Sequence, residues 1–468
     1  MEYTKESLGR LVAAQKEYFA GGQTLDVSFR LEMLKKLYEA VKKHEAALIL
    51  ALGKDLCRAP QEAYLTDIGP LLTEIGETAK GLKKWARPET HFSGFSCFPS
   101  LITKVYKMPY GTCLIISPFN FPVLLSLGVL AAAIAGGNTA VLKVSAKAPA
   151  CAQAVAELVA DTFPSEYVTV VKGGHEAADM LLEERFDKIF YTGSPRVAKH
   201  IMAEAAKNLT PVGLELGGET GNWCIVRKDA DLKDAARKIA FMKILNAGQV
   251  CININQVAVE ESVAEKFVQA LAKAIRKQLG EAPENNPEYP RLISRAAYEK
   301  CAAEAETYRD RIVCGGKGNE ETLRYAPTVI YSVGTDEEIV NHELFCPLLP
   351  IVPYAAEKEE QLLQTVSSRE HGLALYVFTK DKAWARRVMQ SLQYGGGCVN
   401  EVCLHLMVKG VPFNGTGHSG MGAYHGIWGF REFTHPSTVL WGGTHFNLSL
   451  REHPYTQKKL DFLKKVEK

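Results

Sequence analysis

Apolar and polar positions along this chain follow two periods. GTCLIIS (111–117), TAVLKVS (139–145), YVTVVKGG (167–174) and FDKIFYTGS (186–194) are short apolar runs closed by glycine or serine, which predicts strands. Longer stretches lie between them. VLLSLGVLAAAIAGG (123–137) is apolar all round and predicts a buried helix closed by glycines; APACAQAVAELVADTF, HEAADMLLEER and RVAKHIMAEAAKNL predict further helices, the last leading into PVGLELGG. Strands alternating with helices predict an α/β fold with a parallel, doubly wound sheet and ligands at the carboxyl ends of its strands.

A long amphipathic helix is predicted over 26–56, where Leu31, Leu34, Leu37, Val41, Leu48 and Leu52 recur at helical spacing. A second α/β pattern begins after 222, with NWCIVR, DLKDAARKIAFMKILNAG, QVAVEE and VAEKFVQALAKAIRKQL, and continues through TVIYSV, LPIVPY and ALYVFTK. Residues 285–291 and 315–321 read as surface loops inside it. GTGHSG (415–420) matches a dinucleotide fingerprint formally, but no clear strand precedes it and no clear helix opens on it, so a flexible loop is expected.

Composition removes several function classes. With 468 residues, 47% hydrophobic and 23% charged, the chain is ordinary for a soluble multi-domain protein. A net charge of +2, spread along the chain, gives no footprint for nucleic acid. The longest apolar stretch, Pro122 to Ala135, falls short of the ~20 residues of a membrane span, and the N-terminus lacks a signal-peptide pattern. Eleven cysteines without a CxxC pair point to reduced thiols in a cytoplasmic protein, and no set of metal ligands is complete.

One cysteine stands apart. In NAGQVC (246–251) Cys251 follows a glycine that allows close backbone approach, and its own N–H can face a developing oxyanion. Asn120, in SPFNFP (117–122), sits just after a strand, where ligand-facing side chains belong; capping the helix that follows is its other reading. Glu215, in LELGG (214–218), is a carboxylate between leucines, a setting that raises a carboxyl pKa towards neutrality and makes it a useful base; a surface ion pair is its alternative.

In their order and spacing these segments, with HELFCPLLPIV (342–352) and PFNGTGHSGMGAYHG (412–426), resemble the aldehyde dehydrogenase superfamily. FYTGSPRVA (190–198), GMGAYHG and HPYTQKKLDFLKK are most similar to its class-3-like branch. The resemblance implies NAD(P)-dependent oxidation of an aldehyde to a carboxylic acid, with Cys251 as nucleophile, Asn120 as oxyanion donor and Glu215 activating the water that hydrolyses the thioester. It further implies Ser117, Lys143, Gly193, Ser194, Glu343 and Phe345 as the residues that hold NAD or NADP. Ala146 stands where an acidic side chain is frequent, with Lys147 beside it, so NADP is expected to be accepted. The implied architecture is a Rossmann-type cofactor domain (1–90 and 109–214), an α/β catalytic domain (215–401), a bridging element (91–108 and 402–445) that pairs subunits in a homodimer, and a tail (446–468). A CoA-acylating enzyme is the nearest alternative, disfavoured by Glu215. A catalytically silent binding protein is the other, motivated by Glu219, Cys346 and Asn414, where the family usually has lysine and glycines.

Overall fold

The computed structural model describes residues 3–94, 97, 100–445 and 448–466. Residues 95, 96, 98 and 99 of the expected bridging element and 446, 447, 467 and 468 of the expected tail lie outside the described residues, as do 1 and 2. A six-stranded sheet and a seven-stranded sheet organise the fold.

The six-stranded sheet runs in the order Gly420–Met421, Val212–Leu216, Lys188–Gly193, Thr112–Ile116, Thr139–Lys143, Val168–Val171. Its strands are parallel except the first pair. Chain order reverses on either side of Thr112–Ile116, so the crevice at the carboxyl ends there is a switch point of the kind that receives dinucleotides. The helix Leu124–Gly136 follows that strand, and every one of its residues is buried, as an all-apolar segment requires. It packs on the helix Gly69–Trp85 and beneath the long helix Val27–Leu56, which also covers Pro149–Thr162.

The seven-stranded sheet runs Ile312–Cys314, Thr328–Ile330, Leu348–Tyr354, Ile254–Glu260, Asn222–Val226, Ala374–Phe378, Gly396–Val399, with only the first pair antiparallel. Glu89–Phe92, Ile102–Pro109 and Thr434–Trp441 make a separate antiparallel sheet whose outer strands are largely exposed. No helix of the described residues is long and apolar enough to cross a membrane.

Two segments differ from expectation. GTGHSG is not a flexible loop: Gly417–Ser419 forms a short turn of helix, Ser419 is buried, and Gly420–Met421 adds an antiparallel strand to Leu214–Glu215. The charged stretch 285–291 carries Tyr289 into the core, fully buried, so it is not a surface loop throughout.

Candidate active site

The loop NAGQVCIN is held by its own polar side chains. Asn246, Ala247 and Gly248 take successive left-handed conformations, with φ of 49°, 51° and 76°. Such a run is strained for the first two, and it persists because the surroundings fix it. Asn246 Nδ2 donates to Gln249 O (3.0 Å), Gln249 Nε2 to Asn246 O (3.0 Å) and Asn253 Nδ2 to Gly248 O (2.8 Å). From outside, Asn222 Nδ2 donates to Cys251 O (2.8 Å) and Tyr376 OH to Ile252 O (2.7 Å). A side chain on Gly248 would overlap the Cys346 carbonyl, so the close approach expected of this glycine is to the backbone just before the strand Leu348–Tyr354.

Cys251 is partly buried and lines a cavity of about 280 Å³ together with Glu215. Glu215 reaches it because side chains alternate along Val212–Leu216: Leu214 and Leu216 pack into one apolar cluster and Glu215 points the other way. Its carboxyl is buried, its Oε1 has no hydrogen-bond partner, and burial pushes its pKa well above the ordinary carboxylate value. No ion pair involves Glu215 among the described residues, which removes its surface alternative.

The thiol itself is not acidic in this enclosure. Burial pushes the Cys251 pKa up, and Glu215 and Glu343 push it further; the N–H groups of Ile252 and Cys251 itself act in the opposite direction. In this chain alone the sulfur is therefore held protonated at neutral pH.

Asn120 is buried beside Phe121, a wall residue of the cavity. Its Nδ2 donates to Gln249 O at 3.3 Å, two residues before Cys251. It does not cap the following helix: the amides of Val123 and Leu124 are satisfied by Asp67 Oδ1 at 3.1 and 2.8 Å.

Most of the remaining wall is apolar. Leu124, Leu125, Phe241, Met242, Leu245, Leu404, Leu406 and Met407 contribute to its walls, and Glu74, Glu77 and Lys409 are the charged members, the last two paired at 3.0 Å. Sequence reasoning missed three wall residues. Cys403, which no motif sets apart, lines the same cavity. Tyr424 and His425 stack at 4.1 Å, and His425 Nδ1 lies 3.0 Å from Glu74 Oε2. Their signal was the GMGAYHG segment, without any indication of where it folds.

The expected cofactor residues gather at the carboxyl ends of the six-stranded sheet. Ser117 Oγ is buried without a partner. Lys143 is buried, its pKa lowered to about 8 by burial, and its ammonium uses two N–H groups on Val144 O (2.9 Å) and Gly173 O (2.7 Å), leaving one. Gly193 and Ser194 open the helix Pro195–Ala206, whose N-terminus no side chain caps. Glu343 lies so close to Gly217 that any side chain there would overlap its carboxylate, and Phe345 meets Phe119 edge-on at 5.9 Å. An orphaned hydroxyl, a spare ammonium proton, an uncapped helix start and a carboxylate form a donor and acceptor set that fits a dinucleotide.

None of Glu219, Cys346 and Asn414 lines the cavity. Glu219 is held at the surface by Lys199 (2.9 Å) and His418 (3.0 Å), Cys346 is buried against Cys301, and Asn414 Nδ2 donates to the neighbouring Gly415 O (3.3 Å).

Comparison with known proteins gives one answer. The family model described as "Aldehyde dehydrogenase family" matches residues 1–439. The chain is 37% identical over 445 residues to a 4,4'-diaponeurosporen-aldehyde dehydrogenase of Staphylococcus aureus, covering 95% of each. It is 33% identical over 440 residues to a dimeric, NADP-preferring aldehyde dehydrogenase of Canis lupus familiaris, covering 92% of this chain and 94% of that one. A solved structure titled as the substrate-bound state of Staphylococcus aureus AldH superposes with a TM-score of 0.94 at 35% identity, covering 100% of both chains.

Proposed function

Because the chain belongs to the aldehyde dehydrogenase family, whose reaction is the NAD(P)-dependent oxidation of an aldehyde to a carboxylic acid, we propose that Cys251, Asn120 and Glu215 carry out that reaction here. The observation that carries this reading is the shared cavity of Cys251 and Glu215, a thiol and a buried carboxyl whose Oε1 has no hydrogen-bond partner, in a largely apolar enclosure.

In this reading the Cys251 thiol gives up its proton to solvent and its sulfur adds to the aldehyde carbon. The oxyanion of the resulting thiohemiacetal accepts hydrogen bonds from Asn120 Nδ2 and the Cys251 N–H. One such donor is worth about 3–4 kcal/mol of barrier. The dinucleotide, when bound, supplies the hydride acceptor. Glu215 then takes a proton from water as that water attacks the thioester, and its raised pKa makes it a stronger base than an exposed carboxylate. Ser117, Lys143, Glu343 and the helix start at Gly193–Ser194 hold the cofactor, with Phe345 packed beside it. NADP is accepted as well as NAD, since Ala146 offers no carboxylate to repel a 2′-phosphate, and the dog relative is named NADP-preferring.

The largely apolar walls favour a large apolar aldehyde over a small or charged one, and the Staphylococcus relative is named for 4,4'-diaponeurosporen-aldehyde. The working form is a cytoplasmic homodimer in which Glu89–Phe92, Ile102–Pro109 and Thr434–Trp441, with exposed Phe92, Ile102, Leu440 and Trp441, meet a second copy; the dog relative is named dimeric. Residues 1–90 and 109–214 bind cofactor, 215–401 carry the nucleophile, and 91–108 with 402–445 bridge the subunits. Turnover of an aldehyde panel, followed by NADH and NADPH absorbance, tests the reading. Cys251→Ser should abolish it; full activity in that variant refutes the assignment, and a hundredfold preference for NAD refutes NADP acceptance.

A further inference from the structure

The mechanism leaves Arg58 unused, although its side chain is wholly buried and its guanidinium touches both loops of the site. It follows the helix Val27–Leu56, whose last turn is closed by Cys57 in a left-handed conformation, φ 53°. Nη1 donates to Asp67 Oδ2 (2.5 Å) and Thr66 Oγ1 (3.2 Å), Nε to Asn246 Oδ1 (3.1 Å), and Nη2 to the backbone oxygen of Asn120. The guanidinium carbon stands 4.6 Å from the Phe121 ring centroid.

These bonds close on one another. Asn246, oriented by Arg58, donates from Nδ2 to the same Asn120 oxygen (3.1 Å) and to Gln249 O (3.0 Å), the oxygen that Asn120 Nδ2 also reaches. Asp67, paired with Arg58, accepts from Val123 and Leu124 and so fixes the chain just beyond Asn120. The Asn120 peptide is thus tied on both sides, while its amide makes one long bond of 3.3 Å that a developing oxyanion can replace.

We propose that Arg58 is a positioning residue for the oxidation: through Asn120 O, Asn246 and Asp67 it holds the Asn120 amide in register with Cys251, so that the oxyanion donor is in place before substrate arrives. The inference rests on the reading of Asn120 as that donor. A lysine cannot replace Arg58, because one flexible ammonium does not span four acceptors lying in the planar fork of a guanidinium. Misplacing a donor by an ångström costs about 10²-fold in rate.

The test is a double-mutant cycle in the full-length protein, with hydrolysis of p-nitrophenyl acetate as a cofactor-free report on the same thiol and oxyanion. Asn120→Ala should slow acylation by about 10²–10³-fold. Arg58→Lys should slow it by roughly 10–100-fold, with iodoacetamide alkylation of Cys251 and the Kd for NADP within about threefold of wild type. The double variant should be no more than about threefold slower than Asn120→Ala, since Arg58 acts through a side chain already removed. Losses that multiply, or alkylation and cofactor binding that fall with acylation, overturn the proposal and leave Arg58 a structural residue. An Asn120→Ala variant that acylates normally overturns the oxyanion reading itself. Should Arg58→Lys fail to fold, Asn246→Asp, which keeps the shape but turns the donor to Asn120 O into an acceptor, completes the same cycle with the same criteria.

Discussion

Glu343→Gln tests the cofactor half of the site through stability. Burial raises the Glu343 carboxyl to about 8 from its ordinary 4.5, with Lys300 pulling it slightly back. A carboxyl whose folded value is raised contributes fully below the unfolded value, and that contribution is lost as pH rises towards the folded one. Between pH 4.5 and 7 the folded chain must keep a proton that the unfolded chain releases, at about 1.4 kcal/mol per unit, or up to about 3 kcal/mol at pH 7. Glutamine has the shape of the protonated acid and escapes this loss. A chain of 468 residues has an unfolding entropy of about 1 kcal/mol per kelvin. The variant should therefore melt about 3 °C above wild type at pH 7 and less than about 1 °C above it at pH 5. Scanning fluorimetry from pH 5 to 8.5 reads the difference. Saturating NADP should then stabilise wild type more than the variant, because ribose hydroxyls would satisfy the carboxylate. A melting difference that is flat with pH, or a wild type that is the more stable at pH 7, refutes the placement of an unpaired carboxyl there.

Glu215→Gln should lower kcat by about 10²–10⁴-fold yet keep a pre-steady-state burst near one NADPH per subunit, because the thioester still forms; a missing burst places Glu215 before hydride transfer. Leu404→Glu, at a half-exposed wall position, should raise KM for long apolar aldehydes about tenfold or more and spare short ones, read in steady-state assays; equal effects on both refute the apolar-substrate reading. Ala146→Glu should shift the NADP to NAD ratio of kcat/KM towards NAD by about tenfold or more, and an unchanged ratio shows that the 2′-phosphate lies elsewhere.

Much of this fold is legible in local pattern. The strands around Thr112–Ile116 and the buried helix Leu124–Gly136 follow from apolar runs broken by glycine and serine, because burial on two faces leaves little room for polar residues. Glu215 is legible for the same reason, as an acid between buried leucines. Arg58 is not legible: a single arginine after a helix reads as a surface charge, and its partners Asp67, Asn120 and Asn246 are brought to it only by tertiary folding. GTGHSG misleads because its glycines serve packing: a side chain at Gly415 would overlap the Ser419 carbonyl, and one at Gly420 the Leu214 carbonyl. Glu74 is hidden likewise in an amphipathic helix until His425, far along the chain, is folded against it.

Cys251 and Cys403 show what distinguishes a nucleophile in this enclosure. Both are partly buried, both line the cavity, and burial pushes both thiols up, Cys403 to about 12. Acidity in the isolated chain therefore does not separate them. The groups around each sulfur do. Cys251 has two backbone N–H groups directed at it, whereas Cys403 is opposed by Cys398 and Glu401 with nothing in compensation. Of the carboxyls that oppose Cys251, Glu343 is itself raised by burial to about 8, so near neutral pH it is largely protonated and its repulsion is mostly absent. What remains against the thiolate is chiefly desolvation, with Glu215 adding to it.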